Sequence, residues 1–296
     1  MKPNTLPFLC NPVTHEPLRL VVKPGPDGSL QEKLVSVKSG EEFSIRDGIP
    51  VFLSDANVSG PNKKYQELYN RIAPFYDLSL QVFALLKSGG EGKRRREYLQ
   101  ELAVKAGDRV LEVSVGTGGN LRHLPRTAKY FGLDISWGML KRCQKNLKAR
   151  GMEAELFLGA AEYLPFDDET FDVVFHMGGI NFFSDKARAI QDMIRVAKPG
   201  TKIMIVDENE QVAQKYETTP IASKFYGNRR EAISAPIDLV PAGMQEGKVR
   251  DVCNGDLYCL TFRKPQAEGA RRWEPALARQ HSWRSIPALQ ENIGVM

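Results

Sequence analysis

Three acidic or basic side chains stand where strand-forming runs stop, and their spacing suggests chemistry. Glu112 lies inside the apolar run Arg109-Val-Leu-Glu-Val113, and a glycine turn follows at once, Gly116-Thr-Gly-Gly119. Asp134 ends the run Tyr130-Phe-Gly-Leu-Asp134, and His176 ends the run Phe171–His176. A buried strand that feeds a glycine turn presents backbone N–H groups to a nucleotide-like ligand, and glycine is needed because a Cβ would collide with a ligand lying against the main chain. Two ligand classes compete for such a turn. A dinucleotide fingerprint requires a third glycine where Leu121 stands, and pyrophosphate at the end of the strand. The carboxylate of Glu112 would repel pyrophosphate, but it can accept a hydrogen bond from a ligand ammonium. Asp134 is placed to accept both hydroxyls of a ribose in either class. His176 has the side chain best suited by its pKa to be a general base.

The elements that must position these residues alternate regularly. Strands are expected at Arg109–Ser114, Tyr130–Asp134, Ala154–Leu158, Phe171–His176 and Lys202–Val206, with helices begun near Gly119 and over Trp137–Ala149 and Ala187–Ala197. Lys248–Val252 and Tyr258–Phe262 flank Cys253-Asn-Gly-Asp256, a hairpin signal. The expected fold is α/β: a doubly wound, mostly parallel seven-stranded sheet with an antiparallel C-terminal hairpin. A standard dinucleotide-binding sheet lacks that hairpin. Upstream, Leu18–Val22, Leu34–Val37 and Glu42–Ile45 are short strand candidates separated by Pro24–Gly28 and followed by the turn Arg46–Pro50, so a small N-terminal β module precedes the sheet. A helical pattern begins at Lys63, with Pro74 expected to break or kink it. The charge run Gly92-Lys-Arg-Arg-Arg96 reads as the solvated face of a helix over Lys93–Val104.

The acid followed by spaced glycines, Glu112 to Gly118, resembles the first motif of the class I S-adenosylmethionine-dependent methyltransferases, with Ser114 where the first glycine usually stands. The ligand this implies, S-adenosylmethionine, is cationic and phosphate-free. Gly159-Ala-Ala-Glu-Tyr-Leu-Pro-Phe166 and Asp167–Phe175 are similar to the family's next segments, with Ala160 in place of the acid that takes the adenine amino group. Asn70–Leu80 resembles the segment before the core in the ubiquinone/menaquinone-biosynthesis C-methyltransferases, where it caps the cofactor and lines the acceptor pocket. The resemblance implies cofactor contacts from Glu112, Gly116, Thr117, Gly118, Asn120, Asp134, Ile135, Met139, Ala161, Glu162 and His176. It implies roles at the acceptor for His176, Tyr76 and Asn181, with Tyr69 a further candidate lining residue. Residues 1 to about 55 resemble the zinc-ribbon-like domain of the tRNA-methyltransferase-activator family. Only Cys10 and His15 remain of its ligands, too few for a four-ligand zinc site, so no metal is expected.

A chain of 296 residues accommodates one large domain and a small one. The organisation expected is a β module over 1–56, a methyltransferase domain over 63–264 with a lid insertion at about 208–247, and a tail over 265–296 that docks through Trp273 and Trp283 or stays disordered. Hydrophobic content of 42%, charged content of 26% and a net charge of +5 are those of an ordinary soluble protein. No apolar run is long enough to span a membrane, the N-terminus lacks a signal-peptide core, and four scattered cysteines suggest reduced thiols, so the cytoplasm is expected. No Asn-Pro-Pro-Tyr-type run follows the fourth strand, which disfavours nucleic-acid bases as acceptors. The function expected is methyl transfer to a small-molecule or lipid-like acceptor. A cofactor-binding accessory protein and an NAD-linked oxidoreductase are the alternatives.

Overall fold

The run that carries Glu112 becomes an interior strand of a seven-stranded sheet. A computed structural model describes residues 1–25, 28–53, 60–86, 91–218 and 232–266. In chain order the strands are β1 (Leu18–Pro24), β2 (Leu30–Ser36), β3 (Glu42–Arg46), β4 (Ile49–Pro50), β5 (Arg109–Val113), β6 (Lys129–Asp134), β7 (Glu155–Leu158), β8 (Val173–Met177), β9 (Lys202–Glu208), β10 (Gln245–Val252) and β11 (Leu257–Arg263). The α-helices are α1 (Gly60–Leu86), α2 (Glu91–Leu99), α3 (Trp137–Ala149), α4 (Lys186–Val196) and α5 (Glu210–Glu217). The large sheet has the order β10-β11-β9-β8-β5-β6-β7. Neighbours from β9 to β7 are parallel, and β11 runs antiparallel to both β9 and β10. The doubly wound sheet closed by an antiparallel hairpin is therefore the fold of this chain.

Both faces of β5 are covered, which is why its sequence is almost continuously apolar. Leu111 and Val113 share a core with Ala189, Ile190 and Met193 of α4, whereas Val110 packs with Leu140, Cys143 and Leu147 of α3 and with Tyr98 and Leu99 of α2. Side chains alternate along a strand, so Glu112 points to the same face as Val110, under α2 and α3. Ser136, Asp185 and Asn209 cap α3, α4 and α5, each accepting a backbone N–H from the first turn.

The N-terminal strands form a separate antiparallel sheet in the order β1-β2-β3-β4. It covers what would otherwise be an open edge of the large sheet. Val51 bridges Leu158 of β7 in parallel, and the Phe52 N–H donates to the Leu158 carbonyl at 2.8 Å. Leu18, Leu34, Phe43 and Phe52 join the core that contains Phe131, Phe157 and Phe166.

Three local expectations are corrected. First, α1 runs through Pro74 without a break. Proline cannot donate to the carbonyl four residues back, that of Asn70. Tertiary contacts hold the helix at that turn instead: the Asn70 side chain accepts from Ser136 Oγ at 2.8 Å and from the Gly138 N–H at 2.9 Å. A Cβ on Gly138 would lie 3.0 Å from Ala73 Cβ and 3.1 Å from the Asn70 carbonyl oxygen, so glycine there permits the close approach of α1 to α3. Second, the glycine turn leads into one 3-10 turn, Leu121–His123, not an α-helix. Pro125 explains the stop: it lacks an N–H and pushes Leu124 into the extended region, where Leu124 sits at φ −103° and ψ 159°. Third, α2 ends at Leu99 and is followed by a 3-10 turn, and only part of its charge run is a solvated face: Lys93 and Arg96 are exposed, whereas Arg94 pairs with Asp256 at 2.8 Å and Arg95 turns inward to Asn120. Part of the expected lid, including Pro220, and all of the tail from residue 267, with Trp273 and Trp283, lie outside the described residues.

The Asn70 clamp gives a test of how α1 is held. Asn70→Ala removes two hydrogen bonds of about 1 kcal/mol each, so amide exchange in α1, followed by mass spectrometry, speeds up about tenfold or more while the strands keep their protection. Unchanged exchange in α1 would show that the helix is held elsewhere.

Candidate functional site

The carboxyl ends of β5, β6, β8 and β9 meet along one edge of the sheet and bring Glu112, Asp134, His176 and Asp207 together. The loop after β5 opens with Ser114 at φ +62°, followed by Gly116 at +55° and Gly118 at +75°. The two glycines serve different ends. A Cβ on Gly116 would meet nothing within 4 Å, so this backbone borders open space. A Cβ on Gly118 would lie 2.8 Å from Cys143 Sγ of α3, so glycine there lets the loop settle on the helix. Across the opening, Asp134 accepts from the Gly116 N–H at 2.8 Å and from the Ser136 N–H at 2.9 Å. Burial pushes its carboxyl up to about 6 against the pull of those donors.

Glu112 is 1% exposed. Its Oε1 accepts from Asn120 Nδ2 at 2.6 Å, and its Oε2 is buried with no hydrogen-bond partner. Burial pushes this carboxyl up to about 8, opposed by the Asn120 hydrogen bond and by the charge of Arg95, and reinforced by Asp134. The Asn120 side-chain oxygen, Oδ1, accepts in turn from Arg95 Nη1 at 2.5 Å and from the Tyr98 hydroxyl at 3.3 Å. A buried carboxylate oxygen with no donor, on the strand that leads into a glycine backbone facing open space, fits a ligand that brings its own cation. It does not fit pyrophosphate.

Around this centre lie the other residues singled out in the sequence. The Thr117 carbonyl accepts from Asn146, Ile135 accepts on its carbonyl from Gln66 of α1 at 3.2 Å, and Met139 is buried in the first turn of α3. Ala160 and Ala161 are buried below the end of β7. The Glu162 carboxylate is turned toward α1, where it accepts from Asn62 Nδ2 at 2.9 Å and from the Asp185 N–H at 3.2 Å. That geometry fixes the start of α1 to the β8–α4 loop, and Glu162 reaches toward that junction.

His176 departs from the base role. It is wholly buried, its Nδ1 lies 3.0 Å from the Val113 carbonyl, and its Nε2 accepts from the Ile180 N–H at 3.0 Å. Both ring nitrogens are thus engaged by the main chain, and burial lowers the imidazole pKa to about 4. A neutral ring tied at both ends holds the β5 and β8 ends in register and has no nitrogen left for an acceptor. Asn181 is tied in the same way, since its amide donates to the Glu208 carbonyl at 3.1 Å and accepts from the Tyr258 hydroxyl at 3.3 Å. Tyr76 packs edge-on against Tyr69, with ring centroids 6.3 Å apart. The hydroxyl end of Tyr69 is desolvated, and burial, with Tyr76, Glu208, Asp207 and Asp134 nearby, holds its phenol well above the usual range. Tyr65 of α1 stacks on Phe182 at 4.4 Å, so α1 lies over the loop that follows β8.

Two participants were not legible in the sequence. Arg95 sat in a charge run that looked solvated. Asp207, at the end of β9, accepts from the Gly179 and Asn181 N–H groups at 3.1 Å and from the Glu208 N–H at 2.9 Å, so it holds the β8–α4 loop. An acid closing a fifth apolar strand was the available signal.

The raised pKa of Glu112 has a measurable consequence. Its usual value is 4.5 and its value in the fold is about 8, so at pH 7 the ligand-free carboxyl is mostly protonated. A ligand ammonium favours the ionised form, so binding releases a proton at pH 7 and affinity rises with pH until about 8. Calorimetry of S-adenosylhomocysteine in buffers of different ionisation enthalpy should show that release in the native protein and its absence in Glu112→Gln. Equal proton release in both would contradict the assignment.

Comparison with known proteins agrees with this geometry. Residues 110–200 match the family model described as a methyltransferase domain. The chain is 30% identical over 191 residues to a demethylmenaquinone methyltransferase of Lactobacillus johnsonii, covering 60% of this chain and 75% of that one. It is 38% identical over 161 residues to the phthiotriol/phenolphthiotriol dimycocerosates methyltransferase 1 of Mycobacterium ulcerans, covering 53% of this chain and 49% of that one. Among solved structures, an S-adenosylmethionine-dependent methyltransferase from Thermotoga maritima superposes with a TM-score of 0.51 at 23% identity, over 67% of this chain and 99% of that one, a likeness of fold. Sheet order, the glycine loop with its buried acid, and the relatives agree: the chain belongs to the class I S-adenosylmethionine-dependent methyltransferases.

Proposed function

We propose that the protein methylates a small-molecule or lipid-like acceptor held between the carboxyl ends of β5, β6, β8 and β9 and the helix α1. The observation that carries the cofactor side is the partnerless Oε2 of Glu112, on the strand that leads into the open backbone of Gly116. In this reading Glu112 receives the amino group of the cofactor, Asp134 the ribose hydroxyls, and Ile135 and Met139 flank the adenine near Ala161. Gly116, Thr117, Gly118 and Asn120 form the cradle. When bound, the cofactor supplies an electrophilic methyl carbon on a sulfonium.

The acceptor side rests on α1 and on the names of the relatives, which act on quinone precursors and on dimycocerosate lipids. Tyr65, Tyr69, Tyr76 and Phe182 give the chamber an aromatic lining with phenol donors, suited to a flat or apolar acceptor. Tyr69 keeps its proton at any physiological pH, because burial raises its pKa, and so acts as a donor to an acceptor oxygen. With both nitrogens of His176 taken by the main chain, the site works by holding the acceptor in line and excluding water. The acceptor therefore arrives already nucleophilic, as an ionised phenol, an electron-rich ring carbon or a thiolate. The segment around 208–247, which includes α5, serves as a lid.

Residues 1–56 act in this reading as a packing module derived from a zinc ribbon. Cys10 is wholly buried, its N–H donates to the Pro165 carbonyl, and burial pushes its thiol up to about 12, so it is a core side chain. Among the described residues no group of three or more His, Cys, Asp or Glu is placed to hold a metal, and no helix is long and apolar enough to cross a membrane.

Titration calorimetry with S-adenosylhomocysteine and with NAD tests the proposal. S-adenosylhomocysteine is expected to bind and NAD is not, and the reverse would overturn it. Asp134→Ala should weaken S-adenosylhomocysteine by roughly 1–3 kcal/mol, the loss expected for charge-assisted hydrogen bonds. Turnover in a labelled-methyl screen of hydroquinones, phenols and amine headgroups separates an enzyme from a cofactor-binding accessory protein.

A further inference from the structure

At the other edge of the large sheet, where β5, β6 and β7 begin, lies a cavity of about 1010 Å³. It is lined by the first residues of those strands and by the N-terminal 3-10 turn Pro3–Phe8. Two contacts hold that turn over the sheet. The Lys2 N–H donates to Glu155 Oε2 at 3.0 Å, and the Phe8 carbonyl accepts from the Asp167 N–H at 3.0 Å. Open α/β sheets place their ligands at the carboxyl ends of the strands, so the sheet alone does not call for a cavity here. The N-terminal module makes it, by laying Thr5 and Phe8 across the amino ends.

Most of the charged groups in the lining are spoken for. Lys2 pairs with Glu153 at 2.7 Å, Lys198 pairs with Asp172 at 2.5 Å, and Arg126 donates to the carbonyls of Arg150 and Gly151. The two remaining acids hold main-chain donors, Glu155 that of Lys2 and Asp108 that of Lys105 at 2.7 Å. Arg109 and Lys129 differ. Among the described residues neither side chain makes a hydrogen bond or an ion pair. The Arg109 guanidinium lies over the Phe8 ring, 5.3 Å from its centroid. Such stacking occupies a face of the guanidinium and leaves its N–H groups, which lie in the plane, for another partner. Thr5 lines the same cavity, is 2% exposed, and has a hydroxyl with no hydrogen-bond partner among the described residues. Buried hydroxyls are ordinarily hydrogen-bonded, so this one calls for a reason.

A guanidinium fork, an ammonium and a hydroxyl that all lack acceptors match an oxyanion. Phe8, Phe131 and Met152 add apolar surface to the same lining, and the volume is that of a site for a small molecule, not for a bare ion. We propose that this cavity binds a small organic anion, a carboxylate or a phosphate ester with an apolar body, through Arg109, Lys129 and Thr5, with Phe8 holding the guanidinium in place. The site lies at the opposite edge of the sheet from Glu112 and Asp134 and does not depend on the cofactor assignment. It gives the N-terminal module a part in ligand binding as well as in packing.

The test is calorimetry on the full chain with three probes, phenyl phosphate, benzoate and phenol. At least one of the two anions should bind the native protein about tenfold or more tightly than phenol, and the tighter one tells which oxyanion the cavity takes. Arg109→Gln should weaken that probe about tenfold or more, the scale of a lost charge-assisted contact. Lys129→Gln should weaken it roughly threefold, since an exposed cation contributes less. Lys129 is exposed, so this second variant keeps the test open if Arg109→Gln does not fold. Asp134→Ala, at the opposite edge, should leave the affinity unchanged. Neither anion binding, or phenol binding as tightly as both, would overturn the proposal. So would binding that survives the Arg109 and Lys129 substitutions, or that Asp134→Ala abolishes, because the probe would then sit elsewhere.

Discussion

A carboxylate in the middle of a buried strand is the constraint around which this molecule is arranged. Burying a lone charge is so unfavourable that a group either finds partners or gives up its ionisation. Glu112 does some of each: Asn120 satisfies one oxygen, Arg95 stands one amide away, and the other oxygen is left without a donor. Stability alone would favour an apolar residue at this position, as at Leu111 and Val113 on either side. A buried acid kept incomplete makes sense as one half of a binding interaction whose other half is brought by the ligand.

The surrounding elements read as devices for keeping that acid in place. The neutral imidazole of His176 ties the end of β5 to the start of the β8–α4 loop through two main-chain contacts. Asp207 gathers three N–H groups of the same loop and the end of β9. Phe182 on that loop stacks with Tyr65, and Asn62 bonds to Glu162 and Ser184, so α1 is fastened across the opening at its first turns. Asn70 fastens it again at α3. The N-terminal module contributes from the far edge, where Val51 and Phe52 pair with Leu158. Polar contacts inside the fold thus fix the loops whose backbones face the ligand.

Much of this was written in the sequence, and for stated reasons. Strands buried on both faces, such as β5 and β9, are almost continuous apolar runs, which Glu112 alone interrupts in the buried part of β5. The Asn254-Gly255 turn joined β10 to β11 because both residues adopt positive φ. Glu112, Gly116 and Asp134 were legible because a site at strand ends puts acids and glycines at fixed offsets. What sequence could not reveal depends on contacts between distant residues. Arg95 looked solvated because a charge run carries no sign of the amide 25 positions away that receives it. His176 looked like a base because its type and position suit one, and only the fold shows that Val113 and Ile180 take both nitrogens. Pro74 looked like a helix break because the clamp at Asn70 is made by α3. Ser114, unusual where glycine is the rule, does adopt the left-handed conformation that makes glycine the rule, at φ +62°.

The reading depends most on where the amino nitrogen of the cofactor sits. A crystal structure with S-adenosylhomocysteine bound measures that directly. The account predicts the amino nitrogen within hydrogen-bonding distance of Glu112 Oε2, with the nucleoside lying along the Gly116 backbone toward Asp134. A bound nucleoside whose amino group lies elsewhere, with Glu112 Oε2 still lacking a donor, would contradict it.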